Sequence, residues 1–281
     1  SKQISKEKIN YKNDKIFLQK GKLWFENRIK RKKTNFYQQY KNLQVKGNLP
    51  PIPSKKKIIS IFLTTEYENM SLVENLKRFK FKKQSEAVEN LLKSFSKNKD
   101  EFFFIRDNPN ERKKNRIETL RNISSKYNFI SFYILPNSKV DSYKLAKISD
   151  LIITFGSTVG LESFYLGKNV INMGSSWFCK INNFQHFYSK KKFLKFISKS
   201  IDLKKSKKLQ KNNAIKFLAK FYKFTNNNTY VRNNRIFGNY LFKNKIYFIN
   251  GNFILEIFYL FIRIIRRILK YFKIKFEINQ Y

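Results

Sequence analysis

Short apolar runs and amphipathic stretches alternate through the middle of the chain. Lys57-Ile58-Ile59-Ser60-Ile61-Phe62-Leu63 is rich in β-branched and aromatic residues and reads as a buried strand. Residues 84–96 then place Ala87, Val88, Leu91, Leu92 and Phe95 at the i, i+3, i+4 spacing of an amphipathic helix. The same alternation continues. Phe102 to Ile105 reads as strand, Glu111 to Tyr127 as polar helix, and Ser131 to Leu135 as strand. Asp141 to Ser149 reads as a short helix, Leu151 to Phe155 as strand, Val159 to Leu166 as helix and Asn169 to Met173 as strand. Strands and helices alternating across short loops predict βαβ units, and so an α/β fold with a doubly wound parallel sheet over residues 55–175.

The flanks read differently. Residues 1–45 carry Ile16, Phe17, Trp24, Phe25 and Ile29 among many cations and predict helix. The stretch Gly47-Asn48-Leu49-Pro50-Pro51-Ile52-Pro53 cannot continue a helix and marks a domain edge or linker. Residues 190–223 predict a basic helical region, and Asn226-Asn227-Asn228-Thr229 a loop. From Phe253 to Phe276, Arg263, Arg266, Arg267, Lys270 and Lys273 recur at spacings of three and four, opposite Ile264, Ile265, Ile268, Leu269 and Phe272. That is a basic amphipathic helix, suited equally to an anionic membrane surface or to packing on another domain.

Composition narrows the function classes. With 42% hydrophobic and 17% aromatic residues in 281, the chain has apolar material for a sizeable core and is no disordered basic tail. One Cys and one His exclude a disulfide framework and a zinc site of clustered His and Cys. A triad enzyme would have only His186 to draw on. The net charge of +41 comes mostly from Lys scattered end to end, without the Arg clusters of a phosphate-reading surface. It points to no specific nucleic acid, while attraction to anionic lipid or substrate stays open. The chain begins at Ser1 on a polar, Lys-rich run with no signal-peptide pattern, and the missing Met reads as a fragment or a processed form. No run of about 18 uncharged apolar residues predicts a membrane span.

Three loops at strand ends carry candidate chemistry, because an open parallel sheet binds ligands at the carboxyl ends of its strands. In Thr154-Phe155-Gly156-Ser157-Thr158-Val159-Gly160-Leu161-Glu162, an apolar strand meets a glycine turn and then a helix. Gly156 permits the turn, Ser157 and Thr158 add hydroxyls beside free N–H groups, and Glu162 sits one helical turn on. The segment reads as an anion cradle or as an ordinary capped helix start. In Ile105-Arg106-Asp107-Asn108-Pro109-Asn110, Arg106 could offer a fork to phosphate, or the segment could simply be a turn. In Leu63-Thr64-Thr65-Glu66-Tyr67-Glu68-Asn69, Glu66 or Glu68 could act as a general base, or the loop could be merely solvated. Trp177 and Phe178 could stack on a base or pack in the core.

The order of these segments resembles bacterial capsular polysaccharide biosynthesis proteins, a family of GT-B-like glycosyltransferases that includes capsular Kdo-transferase-like enzymes. The resemblance runs over about residues 57–180 and rests chiefly on Gly156-Ser157-Thr158-Val159-Gly160-Leu161-Glu162 followed by Leu166-Gly167-Lys168-Asn169-Val170-Ile171. UDP-N-acetylglucosamine 2-epimerase-like proteins share it more loosely. It implies a Rossmann-like domain of the GT-B C-terminal type at residues 55–200, binding a CMP- or UDP-linked sugar. Residues 1–50 would be a helical remnant of the acceptor half, and 201–281 a basic helical region. Gly156, Ser157 and Thr158 would hold donor phosphate, Glu162 the sugar or ribose hydroxyls, and Arg106 the Arg position of the family's Arg-x-His-Pro-Asn segment. Asn108 stands where the family has His, so that position can donate a hydrogen bond but not shuttle a proton. The resemblance implies a glycan or lipid-linked acceptor, no cofactor, and a cytoplasmic protein peripheral to the inner membrane. A sugar-nucleotide epimerase, and a non-catalytic protein binding membrane or polyanion, remain the alternatives.

Overall fold

The structure is a computed structural model that describes residues 9, 14–31, 43–65, 83–97, 100–173, 176–187, 197, 206–227, 232–234, 239–242 and 245–247. Glu66, Glu68 and the amphipathic stretch 253–276 lie outside the described residues, as does most of 188–205. The chain divides into two compact units, residues 1–221 and 222–281.

The first unit carries α1 (Lys15–Ile29), β1 (Lys57–Phe62), α2 (Gln84–Phe95), β2 (Glu101–Arg106), α3 (Lys114–Lys126) and β3 (Ser131–Ile134). It continues with α4 (Ser142–Ile148), β4 (Leu151–Thr154), α5 (Thr158–Tyr165), β5 (Asn169–Met173) and β6 (Gln185–Phe187). Helix α6 (Lys207–Asn227) spans the boundary between the units. The second unit carries β7 (Arg232–Asn234), β8 (Asn239–Phe242) and β9 (Lys245–Tyr247), which form an antiparallel three-stranded sheet.

The main sheet has six strands, all parallel, in the order β3-β2-β1-β4-β5-β6. This is the doubly wound α/β architecture that the alternating pattern predicts. Both faces are covered, which is why its inner strands are nearly continuous apolar runs. On one face Ile59, Ile61, Phe103, Ile105, Leu151, Ile153 and Ile171 form a core with Ala87, Val88, Leu91 and Leu92 of α2 and Leu120 of α3. On the other, Ile58, Phe62, Phe104, Ile152 and Val170 are buried, with α4 against β1 and α5 against β4 and β5. The connection leaving β1 goes to one face and the one leaving β4 goes to the other. The two strands are neighbours, so a crevice opens at their carboxyl ends.

Some boundaries differ from the sequence expectation for identifiable reasons. Of the predicted helix over 1–45, the described residues form α1, which ends where Arg31 turns the chain with φ +58°, and residues 43–47 form turns with Gly47 at φ +83°. Helix α3 begins at Lys114 rather than Glu111, because Oε1 of Glu111 accepts from the N–H groups of Arg112 and Lys113, each at 2.9 Å. Asp141 is the cap of α4 rather than its first residue, accepting from the N–H groups of Tyr143 and Lys144. Asn226 and Asn227, read as loop, still belong to α6. Strand β6 was not anticipated, nor were β7, β8 and β9, which lie within the stretch 201–281 expected to be helical.

Helix α1 belongs to the same unit as the sheet. Phe25 is fully buried and stacks on Tyr165 of α5, ring centres 4.2 Å apart and ring planes nearly parallel. Gly21 lets α1 approach α6, since a Cβ there would lie 2.9 Å from the carbonyl oxygen of Ile215.

Candidate functional site

The turn from β4 into α5 lies at the β1/β4 crevice and is shaped by hydrogen bonds from its backbone to buried side chains. Gly156 has φ +96°, a conformation that a residue with Cβ adopts only under strain. Its N–H donates to Oδ1 of Asn172 on β5 at 2.8 Å. The Ser157 N–H donates to Oγ1 of Thr154 at 2.9 Å, and the Gly160 N–H to the Ser157 carbonyl at 3.0 Å. A helix's first N–H groups have no acceptor within the helix. Those of Thr158 and Val159 are in that position, and the Ser157 side chain does not cap them. They face the crevice end of the sheet with the positive end of the α5 dipole behind them. Gly160 brings helix and strand together, with no room for a Cβ against the Thr154 methyl.

Behind the turn, Glu162 is wholly buried. Its Oε1 accepts from Nε of Arg28 on α1, and Nη2 of Arg28 donates to Oγ1 of Thr158 at 3.0 Å. Arg28 is itself buried and lies over the Trp24 ring, 4.7 Å from its centre. Oε2 of Glu162 is buried with no hydrogen-bond partner among the described residues.

The loop after β1 is held by Gln84, which is fully buried at the start of α2. Its Oε1 accepts from the Thr64 N–H at 3.1 Å and its Nε2 donates to the Thr64 carbonyl at 3.0 Å. This two-point amide clamp fixes the last described residues before Glu66.

At the end of β2, Arg106 points into protein. It is 2% exposed, and its Nη1 and Nη2 donate to the carbonyls of Leu135 and Ser138 beyond β3. Burial lowers its pKa to about 10, so it stays charged at neutral pH. Asn108 is half-buried, and its Oδ1 accepts from the Asn110 N–H at 2.9 Å within its own turn. Between them Asp107 anchors a buried network. Its Oδ1 pairs with Nη2 of Arg116 at 2.7 Å, and its Oδ2 accepts from the Tyr133 hydroxyl at 2.7 Å. Nη1 of Arg116 also pairs with Oε2 of Glu111 at 2.7 Å. Burial raises the Asp107 pKa, with Arg116 and the Tyr133 hydroxyl opposing it. Burial, then the Asp107 charge, pushes the Tyr133 phenol up. The network fixes the β2–α3 loop.

The structure thus brings Gly156, Ser157, Thr158 and Glu162 onto one strand–turn–helix. Arg106 and Asn108 are set apart, at the end of β2 beyond β1. Trp177 packs on Phe178, Phe217 and Phe221, which favours the packing reading, and His186 is exposed on β6. Arg28 and Asn172 escaped the sequence reading. A signal existed for both: Arg28 follows Trp24 and Phe25 on one helical face, and Asn172 interrupts the apolar run of β5. Among the described residues no group of three or more His, Cys, Asp or Glu side chains could hold a metal ion. Nor is any described helix long and apolar enough to cross a membrane.

No protein-family model matches the sequence, and no curated protein matches it. Solved structures resemble it at low identity. Thermosulfurimonas dismutans KpsC, a beta Kdo 2,4 transferase, aligns at 14% identity and TM-score 0.39, over 71% of this chain and 54% of that one. The C-terminal domain of the Francisella tularensis group 1 glycosyl transferase LpcC aligns at 14% identity and TM-score 0.37, over 61% of this chain and 87% of that domain. The wall teichoic acid polymerase TagF aligns at 17% identity and TM-score 0.37, over 78% of this chain and 43% of that one. The chain therefore spans about half the length of the KpsC structure it matches.

Proposed function

We propose that the first unit is the nucleotide-sugar-binding half of a GT-B-like glycosyltransferase acting in surface polysaccharide synthesis. The observation that carries the reading is the β4–α5 turn. At the crevice of a doubly wound sheet it presents the N–H groups of Thr158 and Val159 on a backbone shaped by Gly156, beside the hydroxyls of Ser157 and Thr158. Donors fixed in this way suit a phosphate whose charge grows as a glycosidic bond breaks, because they are aligned before the reaction begins. Oε2 of Glu162 lacks a donor among the described residues, but it is wholly buried behind the turn, so accepting a sugar or ribose hydroxyl would require the turn to open. Arg106 takes a lesser part than its sequence position implies. Reaching a phosphate would require it to give up the Leu135 and Ser138 carbonyls, whereas α5 needs no rearrangement.

In this reading the donor is a CMP- or UDP-linked sugar and the acceptor a glycan or lipid-linked glycan. Glu66 or Glu68 serves as general base, and the basic stretch 253–276 rests on an anionic membrane surface at the cytoplasmic side.

Calorimetry with CMP and UDP tests the site. Wild type should bind one of them, and Ser157→Ala with Thr158→Ala should weaken that binding by about tenfold or more, the effect of hydrogen bonds to a charged group. Equal affinity in both proteins contradicts the assignment. Incubation with the sugar-nucleotide alone then tests the reaction class: a transferase should leave the sugar unepimerised by NMR, and an epimer formed without acceptor moves the protein to the epimerase reading.

A further inference from the structure

The side chain that reaches this turn from farthest along the chain is Arg28. It is 4% exposed, and α1 places it by three contacts. Phe25 stacks on Tyr165, Gly21 meets α6, and Trp24 lies under the guanidinium. From there Nε pairs with Glu162 and Nη2 donates to Oγ1 of Thr158 at 3.0 Å. Both partners belong to α5, at its first and fifth residues.

Two consequences follow for an anion at the helix N-terminus. Glu162 lies about 6 Å along the helix axis from Thr158, at ~1.5 Å per residue. An unpaired carboxylate at that range, in a dry environment, would repel a phosphate. Paired with Arg28, it does not oppose the N–H groups above it. The second consequence concerns Thr158. A hydroxyl has one proton and two lone pairs. With Arg28 donating to the oxygen, the Thr158 hydroxyl keeps its own proton to donate to an anion at the start of α5.

We propose that Arg28 is a positioning residue of the anion site: by neutralising Glu162 and engaging Oγ1 of Thr158, it readies the α5 N-terminus for nucleotide phosphate. Helix α1 is then part of the donor site. The inference rests on the reading of the β4–α5 turn as a nucleotide-phosphate site.

The test measures CMP and UDP affinity by calorimetry on the full chain for wild type, Arg28→Lys, Arg28→Met, Thr158→Val and the Arg28→Met/Thr158→Val double variant. Arg28→Met should weaken nucleotide binding about tenfold or more, the scale of a charge-assisted hydrogen bond. Arg28→Lys keeps Glu162 neutralised and should recover part of the loss. The double variant should lose clearly less than the product of the two single losses, because Arg28 acts through Thr158. Leu120→Val perturbs the core between α3 and the sheet without touching α1 or α5, and should lower the melting temperature while nearly preserving affinity. Should Arg28→Met not fold, Arg28→Lys against Thr158→Val carries the same comparison. Wild-type affinity in Arg28→Met, or strictly multiplicative losses, overturns the inference alone. So does an equal affinity loss in Leu120→Val, which would make the Arg28→Met effect one of stability alone. A wild type that binds neither nucleotide overturns the proposed function and this inference with it.

Discussion

Gly160→Ala probes the fit between α5 and the sheet, which sets the position of the anion site. A Cβ at Gly160 would lie 2.4 Å from Cγ2 and 3.2 Å from Cβ of Thr154. Ordinary contact between carbon atoms is ~3.5–4.0 Å, so α5 must lift from β4 by about 1 Å or Thr154 must give way. Overpacking of this kind costs about 1–3 kcal/mol. Alanine recovers up to about 1 kcal/mol of helix propensity over glycine. A net loss of up to about 2 kcal/mol remains, and each kcal/mol lowers the melting temperature by about 2–4 °C in a domain of this size. The same lift moves the Thr158 and Val159 N–H groups, so nucleotide affinity should fall as well. Thr154→Ser supplies the control. It removes Cγ2 while keeping the Oγ1 that accepts from the Ser157 N–H. Added to Gly160→Ala, it should restore most of both the melting temperature and the affinity. Thermal unfolding and calorimetry on the three variants give the answer. A Gly160→Ala protein that melts with wild type, or one that Thr154→Ser destabilises further, would refute the close-approach argument.

Asn172→Ala removes the acceptor for the Gly156 N–H in a fully buried setting and should destabilise by about 1–3 kcal/mol in urea unfolding, with loss of nucleotide binding. Arg116→Met leaves Asp107 and Glu111 buried without their cation and should lower stability by about 3–5 kcal/mol, read the same way. Asp141 gives a pH dependence. Burial raises its pKa, but the Gly47 and Lys144 N–H groups and Arg31 outweigh burial and leave it below the usual value. A carboxyl with a depressed folded pKa stabilises above its unfolded pKa, about 3.9, and loses that contribution as pH falls through the folded value. The stability gap between wild type and Asp141→Asn should therefore be level from pH 7 to 5 and close below about pH 4.

The alternation of apolar runs and amphipathic stretches was enough to place five strands of the main sheet, because buried parallel strands such as Leu151–Thr154 have little choice but to be apolar. Strand β6 was not legible: Gln185-His186-Phe187 is three residues long, at the sheet edge, with no apolar run to mark it. The ends of helices were legible only where a side chain advertises the cap. Glu111 binding the backbone just ahead of α3 looks in sequence like the helix itself. Gly156-Ser157-Thr158 could be read as a turn into a helix from local chemistry alone. What supports that turn could not, since Arg28 lies 130 positions from Thr158 in the chain and only tertiary packing joins them. Arg106 shows the opposite failure. A strand-end arginine suits a phosphate fork in sequence, yet its acceptors are carbonyls of the next strand's loop, 29 and 32 positions on, which no local pattern reveals.

On the proposed function, nucleotide phosphate is held by backbone N–H groups at the start of α5. An amide-resolved NMR titration of the deuterated, nitrogen-15-labelled protein with CMP and with UDP tests it directly. One of the two nucleotides should shift the amide signals of Gly156, Ser157, Thr158 and Val159 most strongly and saturably, with smaller changes at Thr64 and Thr65 across the crevice. Saturable shifts confined to the lysine-rich α6, with the Gly156–Val159 signals unmoved, would contradict the account.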